Sequence, residues 1–222
     1  MRTLLSGVAE RAIRYVEGLD ARGVAPVPAA IERLKEWDEA LPEEPTDPER
    51  VVALLDEIGS PATMAMAGRR FFGFVIGGAL PAALAANWLA GAWDQNTGLA
   101  AVTPGTAMLE RVALRWLLEV LGLPPTCGGG FVTGATMANF TGLATARRAI
   151  LARVGWDVEA HGLFGAPPVT VVVGAEVHPS LIKALGLLGL GRDRVARVPV
   201  DGQGRMRADA LPPLSGPTIV CI

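Results

Sequence analysis

Residues 128–136, Gly-Gly-Gly-Phe-Val-Thr-Gly-Ala-Thr, are the stretch of this 222-residue chain whose residue types and spacing suit the capture of an anion. Gly128, Gly129 and Gly130 permit backbone angles closed to other residues, and Gly134-Ala135-Thr136 leads into an alanine-rich helical pattern. The first amides of such a helix have no intrahelical acceptor, and its dipole favours negative charge. The amides of Ala135 and Thr136, with the Thr136 hydroxyl as a neutral donor, could therefore hold a phosphate that small side chains allow to approach closely. The spacing is not that of a Walker loop, which needs Gly-Lys-Ser/Thr. It is not GxGxxG either, because the next glycine after Gly130 is Gly134. Taken alone, the stretch is equally readable as a glycine-rich turn with Thr136 acting only as a helix cap.

A second candidate is His178, one of two histidines. It follows a β-branched run over residues 169–173, at the carboxyl end where open parallel sheets place their ligands. The plainer reading makes it a loop histidine that caps the helix starting near Pro179. His161, in Glu-Ala-His-Gly, has no such placement and is expected in solvent. The two lysines are Lys35 and Lys183. Lys183 falls about one turn into the helix after Pro179 and is expected to be a solvated or packing residue, not a nucleophile. Cys127 and Cys221 lie too far apart to suggest a disulfide framework or a zinc site, so no metal and a reduced, cytoplasmic setting are expected.

The elements that must position these residues follow from periodicity. Leu4, Leu5, Val8, Ala12, Ile13, Val16 and Leu19 recur at helical spacing, which predicts an amphipathic first helix. Ile31, Leu34, Trp37 and Leu41 mark a second. Asp47 as N-cap, Pro48 behind it and Gly59 past the end mark a third. From residue 71 to 109 the only charged side chain is Asp94, which places this stretch inside a large assembly or at a subunit interface and sets a soft boundary near residue 70. Residues 71–93 are long enough on paper to cross a bilayer, but Gly73, Gly77, Gly78 and Pro81 break the run and predict a turn into a helix near Pro81, with no membrane partner. Thr103, Pro104 and Gly122 bound another helix, apolar on most sides and expected to be deeply buried. Beyond the glycine turn, strands are predicted at 167–176, 194–200 and 217–222, with a helix over 178–191 and a short one over 205–214. Alternation of this kind gives an α/β fold with a mainly parallel sheet. A net charge of −2 with half the residues hydrophobic argues against a nucleic-acid partner.

Four segments in order, RRFFGFVIGGALPAALAANWLAGAWDQN, FVTGATMANFTGLATARRA, VHPSLIKALGLLGLG and VPVDGQGRMRADAL, resemble the amino-terminal half of the group II pyridoxal-phosphate-dependent amino acid decarboxylases. The resemblance covers residues 45–222 and implies fold type I: a large three-layer α/β/α domain with a mostly parallel sheet, incomplete here and preceded by a helical segment. Residues 1–70 would be the helical arm used in dimerisation, and 71–222 the first part of the cofactor domain. The resemblance assigns Gly134, Ala135 and Thr136 to the phosphate of pyridoxal 5′-phosphate and His178 to the ring stacked on its pyridine. It places Phe72 and Phe74 on the substrate approach, often from the neighbouring subunit, and implies a homodimer acting on an amino acid. Met137 stands where many relatives carry an acidic residue. The family's Asp for the pyridinium nitrogen and its Schiff-base lysine fall beyond the point matching Ile222. The expectation is therefore the amino-terminal portion of an L-amino acid decarboxylase releasing CO2 and an amine, inactive as this chain alone. An aminotransferase, a carbon–carbon lyase of the same fold and a non-catalytic module are the alternatives.

Overall fold

The computed structural model describes residues 1–222 and divides them into two compact units, Met1–Asn96 and Thr97–Ile222. The change of composition at residue 70 falls inside the first unit. There, α1 (Arg2–Glu17) forms over the amphipathic pattern, and its Arg11 Nη1 meets Asp56 Oδ2 at 2.8 Å. Helices α2 (Pro28–Arg33) and α3 (Pro48–Leu54) each open on a proline, whose missing N–H costs nothing at that position. Asp47 caps α3 by accepting from the Glu49 N–H at 2.7 Å.

Gly59 does not end that helix as its type suggests. The chain runs on through a π-helical turn, Leu55–Gly59, into the short α4 (Ser60–Ala62). A Cβ on Gly59 would lie 2.9 Å from the Trp37 ring, so this glycine serves a close approach instead of a left-handed cap. Helix α5 (Pro81–Trp93) starts at the predicted proline, and no helix is long and apolar enough to cross a membrane.

In the second unit, α6 (Pro104–Val120) is bounded as expected, with Gly122 at φ +65° beyond its end. Its expected deep burial is not found. Only Leu118 is buried, while Trp116 is 61 % and Val120 82 % exposed, because the apolar coat of α6 has no partner within these residues. Then come α7 (Ala135–Ala152), α8 (Val158–His161), β1 (Thr170–Gly174), α9 (Pro179–Leu187), β2 (Val195–Val198) and β3 (Thr218–Cys221). The helix expected over 205–214 shrinks to one 3-10 turn, Ala208–Ala210, since Pro212 forces Leu211 into an extended conformation.

The strands form a parallel sheet in the order β2-β1-β3, with Val172 opposite Ala196 on one side and Val220 on the other. Val171, Val172 and Val173 are all buried, as a β-branched run without alternation predicts for a central parallel strand. Helices α7 and α9 pack on the face that carries Val171, Val173 and Ile219, and Leu143, Ala184, Leu185 and Leu188 fill the space between. Parallel pairing brings the carboxyl ends of all three strands to one edge, and β1 leaves that edge directly into His178.

Candidate functional site: the glycine turn and the histidine cap

Helix α7 opens at Gly134, whose φ of +147° and ψ of 176° are open to glycine almost alone. A Cβ there would meet open space, so the demand for glycine is angular, not steric. No side chain caps the helix, so Thr136 does not act as its N-cap. The ladder begins with the Ala138 N–H donating to Gly134 O at 3.0 Å. The amides of Ala135, Thr136 and Met137 are thus left without an intrahelical acceptor, and no acidic side chain sits in the first turn to repel an anion. The chemistry of this donor set fits a phosphate group: neutral amides, a half-buried threonine hydroxyl and a positive dipole end.

His178 is the N-cap of α9. Its Nδ1 accepts from the Ser180 N–H at 3.2 Å and lies 2.8 Å from Ser180 Oγ. The Ser180 oxygen in turn accepts from Asn139 Nδ2 at 2.9 Å. Asn139 sits one turn inside α7, so this pair of bonds ties the helix opened by the glycine turn to the loop that carries His178. The capping reading of His178 is therefore correct as structure, and the ring remains exposed beyond the cap.

A cavity of about 280 Å³ lies at this edge of the sheet, lined among others by Asn139, Glu176, His178, Met206 and Cys221. Residues 199–207 fold back across the end of β1, where Val200 bridges Met206 and both side chains touch the space above Gly174. Asp201 pins that fold, accepting from the Gln203 N–H at 2.8 Å and the Arg205 N–H at 3.0 Å. Those donors, the Gln203 amide foremost and the Arg205 guanidinium next, hold its carboxyl below the usual carboxylate range. Burial pushes the Cys221 thiol up, and both cysteines are free.

The remaining sequence candidates lie elsewhere. Lys183 is exposed and lines a separate groove with Arg192 and Arg197, and Lys35 in the first unit pairs with Glu32. His161 ends α8 and packs edge-on against Trp156 with ring centroids 5.6 Å apart. Phe72 and Phe74 belong to the first unit, each 91 % exposed, and Phe74 and Val75 adopt left-handed backbone angles of +56° and +55°. Reading the sequence missed Asn139 and Ser180. The His-Pro-Ser spacing carried a signal for Ser180, since a cap accepts from the amide two residues on. Nothing local marks Asn139, which meets Ser180 only through the packing of α7 on α9.

A family model described as the pyridoxal-dependent decarboxylase conserved domain matches residues 31–214. The chain is 27 % identical over 173 residues to an aromatic-L-amino-acid decarboxylase of Bacillus atrophaeus, covering 78 % of this chain and 34 % of that protein. It is 31 % identical over 129 residues to an L-2,4-diaminobutyrate decarboxylase of Rhizobium meliloti strain 1021, covering 58 % and 24 %. It thus spans only about a third or less of the length of these relatives. Among solved structures it matches mouse CSAD with a TM-score of 0.83 at 22 % identity, over 94 % of this chain and 44 % of that one. It also matches Oryza sativa TDC with PLP and tryptamine, with a TM-score of 0.78 at 23 % identity, over 91 % and 42 %.

Proposed function

Since the chain belongs to the pyridoxal-dependent decarboxylase family, with the family's fold type I domain present in part, we propose that it is the amino-terminal portion of an L-amino acid decarboxylase that releases CO2 and an amine. The family's cofactor is pyridoxal 5′-phosphate, which when bound supplies the electron sink that lets a carboxylate leave an amino acid. The amides of Ala135 and Thr136 hold the cofactor phosphate, the Thr136 hydroxyl adds a donor, and Gly134 sets the turn that points them outward. The His178 ring covers one face of the cofactor and keeps water from it. Phe72 and Phe74 line the approach of the amino acid, in a homodimer where they serve the neighbouring site. The setting is the cytoplasm. One observation carries this reading: Asn139 and Ser180 join the helix end that suits a phosphate to the histidine at the mouth of the sheet.

Neither lysine takes the covalent role. Lys183 lines the groove of Arg192 and Arg197 and is not among the residues lining the cavity at His178, and Lys35 is engaged by Glu32. The 222-residue chain with pyridoxal phosphate therefore releases no CO2 from any amino acid, and release would overturn that assignment.

Calorimetric titration tests the site itself. Pyridoxal phosphate is expected to bind at least about tenfold more tightly than pyridoxal, which lacks the phosphate, a difference on the order of one charge-assisted hydrogen bond. Equal affinities would remove the phosphate from the glycine turn. In any longer polypeptide that carries this chain, the products are an amine and CO2, and a keto acid would sink the decarboxylase reading.

A further inference from the structure

We infer that Asn139 and Ser180 are positioning residues for His178, an inference that rests on the proposed role of His178 against the cofactor ring. A backbone N–H can only donate, and that of Ser180 points at His178 Nδ1 at 3.2 Å. Nδ1 is therefore an acceptor, and the proton of the neutral imidazole sits on Nε2. With Nδ1 an acceptor, the Ser180 hydroxyl 2.8 Å from it is the donor of that pair. Asn139 supports this direction: its Nδ2 donates to Ser180 Oγ at 2.9 Å, filling one of the oxygen's two lone pairs and leaving the hydroxyl proton for Nδ1.

The chain of bonds thus has a direction: amide to hydroxyl to imidazole. Two donors converging on one ring nitrogen fix the orientation of the ring as well as its tautomer, as second partners do for metal-bound histidines. Asn139 is carried by α7 and the hydrogen bond it makes is part-buried, so the donor that starts the chain is held by helix packing. The helix whose amino end suits a phosphate then also sets the tilt of the ring that would lie above the cofactor. Nε2–H is left as the donor edge of His178 that this chain of bonds does not use.

Nitrogen NMR on the ¹⁵N-labelled chain reads this directly, because His161 and His178 are its only histidines and His161 serves as the internal reference. His178 is expected to favour Nε2–H over Nδ1–H about fivefold or more beyond His161, the population shift that one net hydrogen bond supports. Ser180→Ala removes the hydroxyl but keeps the N–H, and Asn139→Asp draws the hydroxyl proton to its own carboxylate with no change of shape. Each is expected to reduce the preference, while Ser180→Thr keeps it. Equal tautomer populations at the two histidines of the parent chain, or a preference untouched by both Ser180→Ala and Asn139→Asp, would overturn the inference. Adding pyridoxal phosphate separates this from the proposed function. If the tautomer responds to the substitutions but the cofactor moves no His178 resonance, the positioning chain stands and the cofactor reading falls.

Discussion

Gly134 shows how much of a site can rest on backbone angles that one residue type alone adopts easily. At φ +147° and ψ 176° any side chain is strained, yet a Cβ there touches nothing within 4 Å. Gly134→Ala therefore acts through conformation and not through a clash. Its expected cost is about 1–3 kcal/mol, either as lost stability or as a relaxed turn that no longer aims the amides of Ala135 and Thr136. Urea denaturation and titration with pyridoxal phosphate divide these outcomes. The expectation is a lower denaturation midpoint or, where the turn relaxes instead, cofactor binding weaker by about fivefold or more, the factor to which about 1 kcal/mol or more corresponds. Gly142→Ala, within α7, meets equally open space at ordinary helical angles and should leave cofactor binding unchanged while slightly stabilising the helix. Equal loss of binding in both variants would place the phosphate elsewhere.

At the scale of elements, α9 separates residues that build the core from those that only coat it. Leu185 is fully buried between α7 and the sheet, and Leu187, two positions on, is 61 % exposed. Leu185→Ala is expected to cost about 2–5 kcal/mol, and Leu187→Ala to stay within about 0.5 kcal/mol, as read from chemical denaturation. The π-helical turn after α3 makes a different prediction. Asp56 accepts from the Ser60 hydroxyl at 2.7 Å and from Arg11 at 2.8 Å. The Ser60 bond does most to lower its pKa, burial works against it, and Arg11 and Arg14 add to the lowering. A folded-state pKa below the unfolded one means the stabilisation is complete above the ordinary value of 3.8 and is lost as pH falls through the folded value. Acid unfolding of Asp56→Asn should lack that component, so the variant and parent chains converge at low pH. This scale also shows what the sequence made legible. The β-branched runs, Asp47, Pro48, Pro81 and Pro104 announce their elements locally, and each forms where expected. Gly59 misleads because its reason is the Trp37 ring, which lies far along the chain. The run over 205–214 misleads because Pro212 acts backwards on Leu211. Periodicity found α6 but not its exposure, since a pattern tells which faces are apolar and not what covers them.

The whole chain carries more apolar surface than its own residues can cover. Phe72 and Phe74 are 91 % exposed, Val75 and Ile222 are fully so, and Trp116, Val120 and Leu121 of the α6 region are each more than 60 % exposed. Scattered exposed leucines are ordinary in folded proteins, but contiguous apolar rows mark contact surfaces. Trp116 and Val120 are four residues apart on α6 and so form one row on its surface. The chain spans 44 % of mouse CSAD and 42 % of Oryza sativa TDC. The physical consequence is association: removing such rows from water favours contact by about 25 cal/mol per Å² before the cost of bringing two chains together. Sedimentation of the purified chain is expected to give species heavier than its 23.1 kDa monomer. A double replacement Trp116→Lys and Val120→Lys, which leaves the α7, α9 and sheet core untouched, should weaken that association at least about tenfold, because two charges would have to be desolvated to restore the contact. If the double variant sediments as the parent does, α6 is not the contact surface, and the exposed segment 71–80 becomes the place to introduce the same charges.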